Sequence, residues 1–435
     1  MASIETDPSA KLRGLIIGTA VGDSLGLPFE GRGPRFASRP GESGNSMAIT
    51  AESSIPTSVW QQNLVLGNGL ISDDTEHAIL VLEALASAPS DVDEFQRNLA
   101  MRMRWWFLAM PPGIGMATLK ACLRLWLSFS PKRSGVVSGG NGPSMRAALI
   151  GALRWEGSAV RRNALVRASS IITHTDPRAL IGAEAVAEVA AWEMRRGIAA
   201  ADEEGVTLPS VTELQTLLLG LPSASEVKDW GMIVEHMRTA MEQRETVATF
   251  CARLAADTSI EVRMNLAKGV SGFTLHTVPV AIYTWLRYYG EFPEALAAVL
   301  ELGGDTDTVA AITGALAGCT CGDIHIPEEW QKKIITRPFS LDRACEIAEA
   351  VLAGDPVTGP TFAAAKRQAA ILALGETPEA IAAASAAVVA PTKDELAEAS
   401  RAPSPVLRYP VHLLRNAVTF PLLLLHLLLV LLRVR

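Results

Sequence analysis

Residues Gly303-Gly304-Asp305-Thr306-Asp307-Thr308 put two carboxylates and two hydroxyls in four consecutive positions, directly before the small apolar run Val309 to Gly318. The Gly-Gly pair breaks the helical pattern EALAAVLELG. Asp305 then reads as a helix N-cap, with Asp307 and Thr308 in the first turn. Alone, such a segment is most simply a capped helix start, whose free N–H groups tolerate acids. A second stretch of the same kind changes the reading. Ser72-Asp73-Asp74-Thr75 lies far upstream and opens another helical pattern, EHAILVLEALA. If the clusters meet, four carboxylates about 4–6 Å apart repel by roughly 3–4 kcal/mol per pair at an effective dielectric near 20. The pairs sum to about 20 kcal/mol, more than the roughly 5–15 kcal/mol that stabilises a typical domain. Such a site has to take up protons or cations. Neither cluster contains His or Cys, and all-oxygen ligands suit Mg²⁺ or Mn²⁺ better than Zn²⁺ or Cu²⁺. Two such ions would account for the number of carboxylates.

Other segments have to position this chemistry. Residues 12–27, LRGLIIGTAVGDSLGL, read as a buried helix with Gly14, Gly18, Gly22 and Gly26 spaced by four. That spacing lines one face with glycine and lets another backbone approach closely. Asp23 and the short length argue for a core helix in a soluble protein rather than a membrane helix. Pro28-Phe29-Glu30-Gly31 ends it, leaving Glu30 at a helix C-terminus and at the root of a Gly-, Pro- and Ser-rich loop over residues 31–60. A helical pattern from 76 to 129 is broken near Pro111-Pro112-Gly113-Ile114-Gly115. The loop SGVVSGGNGP at 134–143 precedes a helix starting at Ser144-Met145-Arg146, and its small residues would let backbone N–H groups approach an anion. Helices are expected over 147–172. Thr173-His174-Thr175-Asp176-Pro177 then forms a turn, with Thr175 or Asp176 as cap and Pro177 first in the next helix. Residues 198–229 read as a peripheral excursion and the chain is helical again to about 256. An apolar helix is expected from Val278 to Tyr289, with His276 as a satisfied core histidine.

Across the 435 residues, 49% are hydrophobic, apolar positions recur at three and four, and strand-like alternation is scarce, which argues for a mostly helical protein. The net charge of −7 leaves no electrostatic footprint for nucleic acid. Five cysteines without a CxxC pair fit reduced thiols, and the acidic start MASIETDPSAK does not read as a signal peptide, so a cytoplasmic protein is expected. The organisation reads as a catalytic domain over 1–354, an Ala- and Pro-rich appendix and linker over 355–410, and an apolar C-terminal helix over 411–435. From Ala417 to Leu432 the chain is nearly all apolar, spanning about 24 Å if helical, short of the ~30 Å hydrocarbon core. A helix apolar on all sides contacts lipid or is buried by protein, and membrane contact through residues 417–432 is the preferred reading.

Four landmarks in one order, GDSLGLPFEG at 22–31, SDDT at 72–75, GNGPSMR at 140–146 and GGDTDT at 303–308, together with ITHTDP at 172–177, resemble the ADP-ribosylglycohydrolase family. The resemblance covers about residues 12–320. The family usually shows Thr at the position of Ser72, and alanine is common where Pro143 and Ser144 stand. It implies an all-α fold, a compact orthogonal helical bundle around a binuclear Mg²⁺ or Mn²⁺ site. By motif match, Ser72, Asp73, Asp74, Asp305, Asp307 and Thr308 would bind the metals. Gly140, Asn141, Gly142, Ser144 and Met145 would hold ADP-ribose, and His174 would lie near the substrate. Glu30 matches a glutamate beside the site; it or one of Asp73, Asp74 and Asp305 would supply the leaving group with a proton. The function implied is hydrolysis of the glycosidic bond between ADP-ribose and an acceptor, a protein arginine or serine; the chain is expected to be a monomer. Rival readings are hydrolysis of a small ADP-ribose-like or nucleoside-derived molecule, a non-catalytic ADP-ribose binder held at a membrane by its tail, and a helical membrane-associated scaffold.

Overall fold

The computed structural model describes residues 4–34, 64, 67–88, 91–111, 113–199, 209–354 and 408–417. The loop expected over 31–60 and the appendix therefore lie largely outside the described residues, as does the apolar run beyond Ala417. The fold is all-α. Helices α1 (Pro8–Gly26), α2 (Asp73–Ser87), α3 (Val92–Leu108), α4 (Met116–Trp126), α5 (Ala148–Leu153), α6 (Ala159–Ile171) and α7 (Pro177–Ala199) build the first half. Helices α8 (Val211–Leu219), α9 (Trp230–Glu242), α10 (Val247–Ala256), α11 (Thr274–Arg287), α12 (Phe292–Leu302), α13 (Thr306–Cys321), α14 (Glu328–Lys332) and α15 (Leu341–Gly354) build the second, and α16 covers residues 408–417. A two-residue strand, Gly69–Leu70, pairs in parallel with Ile334–Ile335.

Two helices form the middle of the molecule. Every residue of α13 is buried, and nearly every residue of α1. Asp7 caps α1 by accepting the Ser9 and Ala10 N–H groups, and Pro8 occupies the first position, where its missing donor costs nothing. The glycine face of α1 lies on the small-residue face of α13. A Cβ at Gly14 would come 2.1 Å from Gly318 O, one at Gly18 2.1 Å from Gly314 O, and one at Gly22 2.0 Å from Ala310 O. Only glycine permits two helix backbones so close. The remaining helices bury apolar faces around this pair, and all five cysteines are buried thiols.

Several expected boundaries move. The pattern from 76 to 129 is broken also between Ser87 and Val92, where Asp91 caps α3 by accepting from Glu94 N at 2.8 Å. The stretch 147–172 divides at residues 154–158, and the run to 256 divides between Glu242 and Val247, where Thr246 caps α10. Helix α11 begins at Thr274 rather than Val278, because its first turn docks on the Gly-rich loop: Thr274 N donates to Gly139 O at 2.9 Å. His276 is a satisfied core histidine, held by Ser271 Oγ and Val262 O at 2.8 Å each.

Candidate active site

The two acidic clusters meet at the ends of α1, α2 and α13. Ser72 caps α2 by accepting from Asp74 N at 3.2 Å, and its hydroxyl donates to Asp74 Oδ2 at 3.0 Å. Thr308, in the first turn of α13, bridges the clusters: its Oγ1 lies 3.3 Å from Asp74 Oδ2 and 3.3 Å from Asp305 Oδ1. Glu30, Asp305 and Asp307 each bring a carboxylate oxygen within 4.8 Å of the other two. Asp73, the first residue of α2, is half-buried at the same helix start.

Asp305 occupies the N-cap position of α13, yet its side chain makes no capping bond, contrary to the sequence expectation. Its oxygens are committed elsewhere. Asn141 Nδ2 donates to Asp305 Oδ2 at 2.5 Å while also reaching Thr277 Oγ1 at 3.0 Å. Backbone pairing fixes the loop that carries Asp305. Asp305 N donates to Val270 O at 2.7 Å, Gly304 N to Arg32 O at 2.8 Å, and Gly31 N to Gly304 O at 2.8 Å. The segment after Glu30 and the segment at 269–270 thus clasp the Gly-Gly turn from both sides. Gly304 has φ 84°, and a Cβ there would fall 2.0 Å from Val270 O, so only glycine fits.

Sequence reading passed over Asp23 as a site residue. It is fully buried in α1 and accepts from Ser72 N at 2.9 Å, Thr75 N at 3.1 Å and Thr75 Oγ1 at 2.5 Å. It therefore holds the start of α2 against α1. The available signal was a lone carboxylate inside a helix of apolar and small residues, where burial demands partners.

Burial and mutual repulsion both act on the carboxylates of the two clusters. Burial, reinforced by the other carboxylates, pushes Asp73, Asp74 and Asp307 well above the usual carboxylate range, and burial also raises Asp305. Asp23 is pushed up to about 6 by burial, despite the bonds it accepts. Glu30, at the exposed rim, is pushed up to about 7 by lost solvent around its carboxyl and by the charges of Asp305 and Asp23. Among the described residues no Lys or Arg pairs with Asp73, Asp74, Asp305 or Asp307. Asp74 Oδ1 and Asp307 Oδ1 are buried without a hydrogen-bond partner. Orphaned buried carboxylate oxygens in an all-oxygen donor set fit hard divalent cations.

The Gly-rich loop forms one wall. Gly140 pairs with Phe273, and Asn141 N donates to Gly272 O at 3.0 Å, which lays the loop on the segment before α11. His174 pairs through its backbone with Val136, and its ring lies against the loop: a Cβ at Gly142 would meet its Cε1 at 2.9 Å, and one at Gly140 its Nε2 at 3.1 Å. Burial, then the Arg146 charge, pulls His174 down to about 3, so its imidazole is neutral. Asp176 caps α7 by accepting from Arg178 N at 2.9 Å, with Pro177 first in the helix. Met145 is buried, and Ser144 is buried with its hydroxyl near Gly182 of α7; Ser144 N donates to Asn141 O at 2.8 Å. Arg146 was missed as an organiser of this wall. Its buried guanidinium donates to Gly142 O at 2.9 Å, Ser169 Oγ at 3.0 Å, Ser169 O at 3.0 Å and Thr173 Oγ1 at 2.8 Å, and Thr173 Oγ1 in turn lies 2.8 Å from His174 Nδ1.

With this geometry in place, comparison with known proteins gives the family. The ADP-ribosylglycohydrolase profile matches residues 5–361, and the chain belongs to that family. It is an enzyme of the glycosidase-type hydrolase class. An uncharacterised protein of Archaeoglobus fulgidus is 29% identical over 342 residues, covering 78% of this chain and 96% of its own. The ADP-ribosylhydrolase ARH3 of Gallus gallus is 25% identical over 355 residues, 75% of this chain and 89% of its own. The human ARH3 is 39% identical over a shorter stretch of 88 residues, 18% of this chain and 24% of its own. A solved structure described as an ADP-ribosylglycohydrolase-related protein complex superposes with TM-score 0.51 at 22% identity, covering 80% of this chain and 98% of that one, and shares the fold.

Proposed function

We propose that this enzyme hydrolyses the glycosidic bond between ADP-ribose and a protein side chain, arginine or serine, and that it does so with two divalent cations, Mg²⁺ or Mn²⁺. The observation that carries the reading is the meeting of the two acidic helix starts through Thr308, with Glu30, Asp305 and Asp307 gathered around one point. Ser72, Asp73, Asp74, Asp305, Asp307 and Thr308 would hold the ions. When bound, divalent ions supply charge neutralisation, a grip on ribose hydroxyls and a more acidic water.

The chain's own groups account for the rest. Cleavage at the anomeric carbon passes through an oxocarbenium-like state, which a cluster of carboxylates favours. Water adds its hydroxyl to that carbon as the bond to the acceptor breaks, and the acceptor leaves with a proton. Glu30 stands at the rim, exposed enough to meet an acceptor, and the loss of solvent around its carboxyl, which cations on Asp305 would not remove, raises its affinity for a proton and suits it to move one. Asn141 fixes Asp305, and the loop 140–145 with the neutral His174 ring offers backbone N–H groups and an uncharged wall to ADP-ribose.

The test is release of ADP-ribose from ADP-ribosyl-arginine proteins, ADP-ribosyl-serine proteins and small-molecule ADP-ribose conjugates, with Mg²⁺, with Mn²⁺ and with chelator. Release from at least one conjugate, lost in chelator and reduced by roughly a hundredfold or more in an Asp305→Ala, Asp307→Ala double variant, is the expected result. Release unaffected by that variant removes the assigned site, and release only from small-molecule conjugates removes the protein acceptor.

A further inference from the structure

Helix α16 is amphipathic in the opposite sense to a surface helix. Its polar side chains face the body of the protein. Arg408 pairs with Glu83 and lies 4.8 Å over the Phe339 ring; His412 Nε2 lies 3.1 Å from Glu76 Oε1; Arg415 pairs with Glu76; and Asn416 Nδ2 donates to Ala109 O at 2.7 Å. Glu76 and Glu83 are both fully buried in α2. The outward face is apolar: Pro410 and Ala417 are exposed, Val411 is 47% exposed and Leu414 is 68% exposed. A helix bordered by water on that side would carry its charges outside. Here they are spent on buried carboxylates, as happens where the outer medium is a poor partner for polar groups.

Three further observations point the same way. Met110, which follows the Ala109 carbonyl that anchors Asn416, is 66% exposed. The sequence continues the apolar chemistry from Ala417 to Leu432 and closes on Arg433 and Arg435. Beside Val411 lies a cavity of about 820 Å³ whose lining includes Ile334, Phe339 and Leu341, the cations Arg337, Arg408 and Lys332 (paired with Glu328), and one acid, Asp342. Apolar surface next to cations is the chemistry of an anionic phospholipid, whose acyl chains and headgroup need both. The family match ends at residue 361, so α16 lies outside the part of the chain that the family accounts for.

We propose that the outer face of α16, with Met110 and the cavity beside Val411, docks the enzyme on an anionic phospholipid bilayer. The ion pairs to Glu76 and Glu83 make the anchor one rigid piece with the catalytic body. Among the described residues no helix is long and apolar enough to cross a membrane, and docking by this face requires none.

The experiment uses the full chain and sedimentation with phosphatidylcholine–phosphatidylglycerol vesicles and with phosphatidylcholine vesicles, read without reference to hydrolysis. The wild type is expected to sediment with the anionic vesicles and less with the neutral ones. A Val411→Asp, Leu414→Asp double variant changes only exposed side chains. It should keep its melting temperature and bind the anionic vesicles at least about tenfold less. Equal binding by wild type and variant would overturn the proposal. So would an absence of vesicle binding, or light scattering that shows wild-type self-association, abolished in the variant, in its place.

Discussion

Replacing Gly22 by alanine tests whether the close crossing of α1 and α13 is what holds the site. The added methyl would sit 2.0 Å from Ala310 O and 2.5 Å from the carbonyl carbon, where ordinary contact begins near 3.4 Å. The obstacle is backbone, not a side chain that can swing aside, so the helices must shift by about 1.4 Å at that point. In an unobstructed helix the same substitution gains roughly 0.5–1 kcal/mol. Overpacking costs about 1–3 kcal/mol or more, so the net loss should be about 2 kcal/mol, or roughly 3 °C in melting temperature for a domain of this size. Activity should fall further than stability. Asp23 follows Gly22 directly, and Asp307 and Thr308 precede Ala310 on the opposing helix. A displacement of about 1 Å at reacting groups can cost roughly a hundredfold. The control is Gly231→Ala in α9, where no atom lies within 4 Å of the new Cβ; it should gain roughly 0.5–1 kcal/mol. Calorimetry and ADP-ribose release measure both. A Gly22→Ala protein that melts as high as the wild type and turns over at the wild-type rate refutes the argument.

Three more outcomes follow from the same geometry. In chelator, Asp23 and Glu30 hold protons in the folded state up to about 6 and about 7, whereas in the unfolded chain they ionise near 4. Their contribution to stability is then full below about pH 4 and is lost as pH rises through 6 to 7. The melting temperature in chelator should fall between pH 5 and 8, and Mg²⁺ should raise it more at pH 8; a flat or rising profile in chelator contradicts this. Asn141→Ala should lower kcat by roughly tenfold or more by releasing Asp305, with little change in urea unfolding; unchanged kcat counts against that role. Arg415→Ala should cost about 3 kcal/mol in urea unfolding, because it leaves the buried Glu76 with only His412 and Trp106; a loss within error would show α16 detached in solution.

Both acidic clusters, the Gly-rich loop and the glycine face of α1 were legible because each is a local pattern with a local physical meaning. Their roles in space were legible only in part. Asp305 looks like a cap in one dimension. Its side chain is instead claimed by Asn141, 164 residues away in the chain, which no local rule reports. The break between α2 and α3 was hidden because apolar spacing continues on both sides of Asp91. Asp23 and Arg146 were missed for one reason. Each acts by binding backbone or hydroxyl groups from another segment, so its meaning lies in long-range partners and not in neighbours. The polar inner face of α16 was masked by the apolar run that follows it, which dominates any reading of that end of the chain.

Helix α1 resolves how mutually repelling groups can be kept together. Its contacts reach both clusters, by different means. Through Asp23 it binds the N–H groups of Ser72 and Thr75, and so fixes the start of α2. Through Gly14, Gly18 and Gly22 it meets the backbone of α13, and so fixes the start of that helix as well. Just beyond its C-terminus, Glu30 joins Asp305 and Asp307. Repulsion among the carboxylates acts to spread the helix starts, and neither a single cap nor a flexible side chain resists it. Backbone-to-backbone packing does, because it leaves no soft rotamer to yield. The glycines therefore hold the acidic cluster together as much as its hydrogen bonds do, and its charge is tolerated because the rigid element lies where the force acts.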